Sequence, residues 1–313
     1  MIDDNRLEYE KRVNRVVDYV REHLADDLSL AALARVAAFS PFHFHRVFRA
    51  ITGETLFGFI QRQRIEKAAG ALLLRPEESV LAVALDHGFA SAATFARAFR
   101  GHFGMSATRW RAGGAARWRA RHVAGRKTGK QHRKPRKARP RRGADTDRVR
   151  HPEGTMPIGF RDLPTFHVVY LRYVGPYGPH GIPALWRRLH AWMKPRGFDT
   201  PSRITLGIAY DDPAITGPER CSYDACVVVP PDFTGDRWVN AADIPGGRYA
   251  VAGFVGTADG IGAAWDRVSA AWLPGSGYAP DDRPCYELYR GDPMVGAGAG
   301  RFRCELCLPV RPL

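Results

Sequence analysis

The residues best placed to do chemistry lie near the C-terminus. Along Cys285-Tyr286-Glu287-Leu288-Tyr289, the alternation of a strand puts Cys285, Glu287 and Tyr289 on one face. A carboxylate beside aromatic rings suits an organic cation, which gains Coulomb attraction from the one and cation–π contact from the other. The plain alternative for Glu287 is an exposed or salt-bridged strand residue. Trp265 and Trp272 are seven residues apart, on one face of a helix, and are candidates either for the core or for the same pocket. Cys304-Glu305-Leu306-Cys307 has zinc-like spacing, but residues three apart in a strand point to opposite faces. No second pair of ligands lies nearby, so no metal is expected. His43, His45, His102 and His190 show no catalytic spacing. There is no nucleophile motif and no glycine-rich phosphate loop, so neither a catalytic residue nor a cofactor is expected.

A second kind of chemistry is electrostatic. The chain has 313 residues and a formal net charge of +15. Residues 1–110 hold 15 basic and 13 acidic residues, 111–150 hold 16 and 2, and 151–313 hold 16 and 17. Nearly all the excess therefore sits in one stretch, which includes GRKTGKQHRKPRKARPRRG. With almost no aliphatic residues it cannot offset the entropy of ordering, and it reads as a flexible basic linker over 112–156. Such an arm is either a solvated spacer or a non-specific phosphate binder that releases counterions from nucleic acid.

The elements that must position these residues fall on either side of that linker. Residues 1–111 read as helical. Val13, Val16, Val17, Val20 and Leu24 follow the spacing of one buried helix face. Ser40-Pro41 starts a helix with a capping hydroxyl and a proline at the first position, and Thr52-Gly53 stops it. A longer helix spans about 56–74, and short ones follow near 78–86 and 92–101. The region repeats at an offset of 51: Ser40, Phe44, Arg46, Phe48, Arg49 and Gly53 match Ser91, Phe95, Arg97, Phe99, Arg100 and Gly104. Each copy is a short helix, a tight turn and a capped helix with a Phe-x-x-x-Phe stripe, the pattern of a helix-turn-helix. The phenylalanines face the core and the arginines lie off the stripe, where DNA would be. A plain helical bundle with solvated arginines is the alternative.

Residues 157–313 mix strands and helices and repeat at about 80. Val174-Gly175 answers Val255-Gly256, Trp186 answers Trp265, LGIAYDDP answers CYELYRGDP, and YDACVVVP answers RCELCLPV. Each copy reads strand, helix, strand, strand. Two such units predict one curved antiparallel sheet with helices on one face and a groove between the copies. The fold class is thus multidomain: an all-α double helix-turn-helix domain, then an α+β domain.

The run SPFHFHRVFRAITGETLFGFIQRQRIEKAAGALL, followed by VALDHGFASAATFARAFRGHFGMSATRWR, resembles the AraC/XylS family of bacterial transcription regulators. That resemblance implies two units reading adjacent major grooves. Carried over by position, the base-reading candidates are Phe42, His45 and Arg46 in the first unit, with Arg49 nearer the backbone. In the second unit they are Ala92, Ala93, Thr94 and Arg97, with Arg100 nearer the backbone. An alanine can touch only a thymine methyl, so more base discrimination is expected from the first unit. YVGPYG, LGIAYDDP, YDACVVVP, IPGGRYA and AAWDRVSAAWLP resemble the gyrase-inhibitor-like domain of Rob-type regulators. By that resemblance Glu287 occupies the ligand pocket, with Tyr289, Trp265 and Trp272 as further candidates.

The expected function is a sequence-specific, DNA-binding regulator that senses a small cationic or aromatic molecule. Its expected partners are double-stranded DNA and that effector, with RNA polymerase as a further partner open to such regulators. A gyrase-inhibitor-like hydrolase or a toxin-sequestering protein using Glu287 is the rival reading. The polar, acidic start lacks the features of a secretory signal, no run of about 18 apolar residues occurs, and five cysteines form no disulfide framework. A cytoplasmic protein without a membrane partner is therefore expected.

Overall fold

The computed structural model describes residues 4–120, 157–178, 181–294 and 300–313. Most of the expected basic linker, residues 121–156, lies outside the described residues.

The N-terminal part is helical: α1 (Asp4–Glu22), α2 (Leu30–Val36), α3 (Pro41–Thr52), α4 (Leu56–Leu74), α5 (Val80–Asp86) and α6 (Ala92–Phe103). The repeat seen in the sequence is a repeat of local physics. Ser40 and Ser91 accept from the backbone N–H groups of His43 and Thr94, satisfying donors that the first turn leaves free. Gly53 (φ 76°) and Gly104 (φ 69°) end the helices in the left-handed region that favours glycine. Phe44 and Phe48 are fully buried with Val13, Val16 and Val20, while Phe95 and Phe99 pack with Ile65, Leu72 and Trp110. The first turns of α4 belong to the first cluster and its later turns to the second, which makes α4 a spine shared by both units. Residues 112–120, assigned to the linker from sequence, are largely helical and belong to this bundle: Ala115 is buried and the Trp118 ring lies 5.3 Å from that of Phe103.

The C-terminal part is a nine-stranded antiparallel sheet whose main path runs β1-β6-β9-β8-β3-β4-β2-β5, with β7 paired to β9. Its strands are β1 (Ile158–Leu163), β2 (Phe166–Val174), β3 (Ile204–Ala209), β4 (Ser222–Val228), β5 (Asn240–Ile244), β6 (Gly247–Gly256), β7 (Tyr278–Pro280), β8 (Tyr286–Arg290) and β9 (Phe302–Pro312). Helix α7 (Gly181–Met193) serves the first repeat and α8 (Ala258–Asp266) the second. The expected strand-helix-strand-strand units are present, and they join through β3 and β8. In that pairing Gly207 faces Glu287, and these are equivalent positions of the two repeats, so a local two-fold axis passes between them. Strands β1 and β5 precede the two units, and each pairs across, β1 with β6 and β5 with β2. One sheet face packs Leu206, Ile208, Tyr249, Tyr286 and Leu288; the other lies under the two helices.

The domains meet through charged and apolar contacts. Arg172 on β2 is buried, with its guanidinium 2.6 Å from Asp18 of α1 and 2.6 Å from Asp224 of β4. Burial alone would lower its pKa, but the two carboxylates beside it raise it well above the usual arginine value. Tyr170 also donates to Asp18, and Lys11 to the Asp236 carbonyl. Farther along, Ile215 of the β3–β4 loop inserts into the apolar cluster of the second helical unit.

Candidate nucleic-acid interface and ligand site

The exposed side of each recognition helix is set by the buried stripe beneath it. With Phe44 and Phe48 turned inward, His45, Arg46 and Arg49 are exposed on α3. On α6, Ala92, Ala93, Thr94, Arg97 and Arg100 are exposed around the buried Phe95 and Phe99. The Phe42 side chain lies outside what the structure describes. Thr94 is committed elsewhere: its hydroxyl accepts from Ser91 N–H at 3.2 Å and donates to the Ser91 carbonyl at 2.8 Å. These bonds form a capping box with the Ser91 side chain. Only the Thr94 methyl group remains to meet a base.

Glu287 lies on the helix-covered face of the sheet, 7% exposed. Tyr289 Oη donates to its Oε2 at 2.7 Å and Tyr223 Oη at 3.0 Å. Trp265 Nε1 points to Oε1 at 3.5 Å, and Trp186 Nε1 donates to Tyr223 Oη at 3.3 Å. The rings of Trp186 and Tyr289 meet edge to face at 5.5 Å. Burial pushes the Glu287 pKa up, while the donors from Tyr289, Tyr223 and Trp265 hold it back. Among the described residues no cation pairs with this carboxylate.

The pseudo-symmetry explains how so many groups fit around one carboxylate. The two helices descend from equivalent positions, so Trp186 and Trp265 approach the axis from opposite sides. The equivalent of Glu287 is Gly207, and a Cβ there would lie 2.0 Å from Tyr223 Oη and 2.7 Å from Glu287 Oε2. Glycine at 207 leaves the room that the carboxylate and the tyrosine occupy.

Of the residues singled out from sequence, the structure therefore brings Glu287, Tyr289 and Trp265 together. Trp272 packs against the same apolar cluster as Trp265 and Tyr289, but its described ring contact, at 5.9 Å, is with Phe160 and not with the groups around Glu287. The helix that should have aligned it with Trp265 becomes π-helical over Arg267–Trp272, and the wider turn loses the seven-residue phase. Tyr223, Trp186 and Gly207 were not foreseen as site residues. Aligning the repeats position by position would have set Gly207 against Glu287, and Trp186 had already been matched to Trp265.

A third polar cluster lies between the domains. Arg62 holds Glu54 through Nε (3.2 Å to each oxygen) and Nη2 (2.6 Å), and reaches Glu66 at 3.0 Å. Thr216, from the β3–β4 loop, donates to Glu66 Oε2 at 2.9 Å, and His102 Nε2 is 3.6 Å from Oε1. Burial raises the Glu66 pKa to about 7 against the opposing pull of Arg62 and Thr216. Burial, then the charges of Arg62 and Arg220, lower that of His102.

Two capped recognition helices on one spine, joined to a duplicated sheet with a buried carboxylate, define a DNA-binding regulator with a separate small-molecule-binding domain. Comparison with known proteins agrees. The profile of the GyrI-like small molecule binding domain matches residues 156–311, and that of a helix-turn-helix domain matches residues 33–113. YosT of Bacillus subtilis (strain 168) bears the name of an SPbeta prophage-derived transcriptional regulator. It is 34% identical over 160 residues, 50% of this chain and 100% of YosT. The DNA gyrase inhibitor of Serratia proteamaculans (strain 568) is 34% identical over 142 residues, 44% of this chain and 88% of that protein. The HTH-type transcriptional regulator YbfP of Bacillus subtilis (strain 168) is 33% identical over 97 residues, 31% of this chain and 32% of YbfP. The chain belongs to the GyrI-like family, with an AraC-type helix-turn-helix domain ahead of the GyrI-like domain. Among the described residues, no helix is long and apolar enough to cross a membrane.

Proposed function

We propose that this regulator senses an organic cation with a flat or apolar body, and that Glu287 is the group that selects for charge. The observation carrying this reading is the environment of Glu287: a buried carboxylate that, among the described residues, is bonded only to aromatic side chains. Oε2 is satisfied by two tyrosines, whereas Oε1 has only the long contact to Trp265. A cation replacing or displacing the Trp265 indole would find a free lone pair and ring faces. The sheet offers a route to the DNA-binding domain. Tyr223 faces Glu287, while the next residue, Asp224, points to the other side and holds Arg172, which grips α1. Binding regulates if the ligand favours one arrangement of these contacts.

The test uses the full chain, with tetraphenylphosphonium as the cationic probe and triphenylphosphine oxide as a neutral one, in calorimetry. Glu287→Gln keeps the shape and removes the charge. It is expected to weaken the cation by about tenfold to a hundredfold and to leave the neutral probe nearly unchanged. The parent's affinity for the cation rises with pH through the raised Glu287 pKa, because the ligand requires the ionised form; the variant's does not. Equal affinity of both proteins for the cation refutes charge selection. Hydrolysis by this domain would appear as turnover of a bound ligand, and sequestration as ligand binding that leaves DNA affinity, measured separately by fluorescence anisotropy, unchanged.

A further inference from the structure

A cleft between the spine helix α4 and the recognition helix α6 contains a cation that belongs to neither. The cleft has a volume of about 640 Å³. One wall is α4, through Phe57, Gly58 and Gln61; another is α6, through Thr94 and Arg97; and Arg220 enters from the C-terminal domain. Arg220 is carried by the β3–β4 loop, which is anchored by two independent contacts. Ile215 is 5% exposed within the apolar cluster of the second unit, and the Thr216 hydroxyl donates to Glu66. The arginine itself remains 56% exposed at the side chain, with Nη1 3.7 Å from Glu54 Oε2.

The charges in this cleft do not cancel. Arg62 already holds Glu54 with three hydrogen bonds. Among the described lining residues, three arginines, Arg62, Arg97 and Arg220, outweigh the single carboxylate of Glu54. Continuity with the recognition face supplies the partner. Thr94 and Arg97 lie on the exposed side of α6 and also form a wall of the cleft. A duplex lying along α6 meets the mouth of the cleft, because Thr94 and Arg97 belong to both. A surface of fixed guanidinium groups there fits the phosphate backbone.

We propose that Arg220, a residue of the small-molecule-binding domain, is a DNA-phosphate contact, so that the protein's DNA-binding surface is built from both domains. This rests on the duplex lying against α3 and α6.

The experiment measures affinity of the full chain by fluorescence anisotropy for a 30-base-pair duplex enriched on it from a random library, over a range of salt. Each phosphate contact contributes about 0.9 to the slope of log affinity against log salt. Arg220→Gln should lower that slope by about 0.9. It should weaken binding several-fold at about 0.1 M salt, the gap closing toward about 1 M. Arg220→Lys should keep the parent slope. Because Arg220→Gln also uncovers Glu54, the double variant Glu54→Gln/Arg220→Gln is needed. A contact to phosphate predicts that the double variant keeps the lowered slope. Recovery of the parent slope would mean that Arg220 only masks Glu54, and overturns the proposal. An unchanged slope in Arg220→Gln alongside a lowered slope in Arg100→Gln also overturns it, while leaving the recognition-face reading intact. No change in either variant overturns both.

Discussion

Gly207→Ala is the sharpest probe of the ligand site, because the backbone at 207 tolerates a side chain and only the space does not. A Cβ would lie 2.0 Å from Tyr223 Oη, where non-bonded contact requires about 3.5 Å. The hydroxyl must retreat by about 1.5 Å, which takes it out of hydrogen-bond range of Glu287. Tyr223 is a rigid ring, 3% exposed and packed in the cluster that contains Trp186, so a small rotation does not relieve the clash. Overpacking of this kind costs about 1–3 kcal/mol, and the lost hydrogen bond adds about 1 kcal/mol. For a domain of this size, the sum corresponds to a fall in melting temperature of roughly 5–15 °C. The same methyl group fills the position opposite the carboxylate, so tetraphenylphosphonium affinity should fall at least as far as in Glu287→Gln. Differential scanning fluorimetry with and without the probe reads both effects. A variant that melts within about 1 °C of the parent and binds the cation equally well would refute the account of Gly207 and of how Glu287 is packed.

Two further outcomes are expected. Arg46→Ala should weaken specific DNA binding more than Arg97→Ala, because α3 presents His45 beside Arg46 whereas α6 presents two alanines and a threonine whose hydroxyl is spent on its cap. A lost bidentate base contact costs about 1–3 kcal/mol, and equal losses on the enriched and a scrambled duplex for Arg46→Ala would sink base reading there. Glu66 binds its proton more tightly in the folded protein, with a pKa raised from 4.5 to about 7, so its contribution makes stability fall as pH rises through that window and level off above it. Glu66→Gln should remove a term of about 3 kcal/mol from that dependence; parallel melting curves of parent and variant across this range would refute it.

The sequence showed most where the physics is local. Caps, the Phe-x-x-x-Phe stripes and terminal glycines mark α3 and α6 because each acts within a few residues, and the strand alternation around Glu287 survives folding unchanged. The capping role of Thr94 was legible too, as Ser91-x-x-Thr94, but the family resemblance drew attention to its place on the reading face. Trp272 shows the opposite limit: its assignment assumed one unbroken α-helix, and a π-helical turn is not visible in a periodicity. The second-repeat alignment was also one residue out along its last strand. In the sheet Gly207 pairs with Ala225, and its equivalent Glu287 pairs with Leu306. The domain interface left no sequence signal. Asp18, Arg172 and Asp224 are scattered over two domains, and nothing in their spacing says that they share one buried site.

The crossed leading strands have a consequence for how a molecule could reach Glu287. Because β1 completes the half built from the second repeat, and β5 the half built from the first, each half is fastened by a strand that precedes the other. The two halves cannot swing apart like the shells of a clam without tearing ladders of hydrogen bonds at both rims. Admission of a guest must instead come from above, by tilting α7 or α8 or swinging a tryptophan, over a floor that stays closed. Tyr223 and Asp224 are neighbours on one strand of that floor and face opposite sides, so the group beside Glu287 and the group that holds Arg172 share a single stretch of paired backbone.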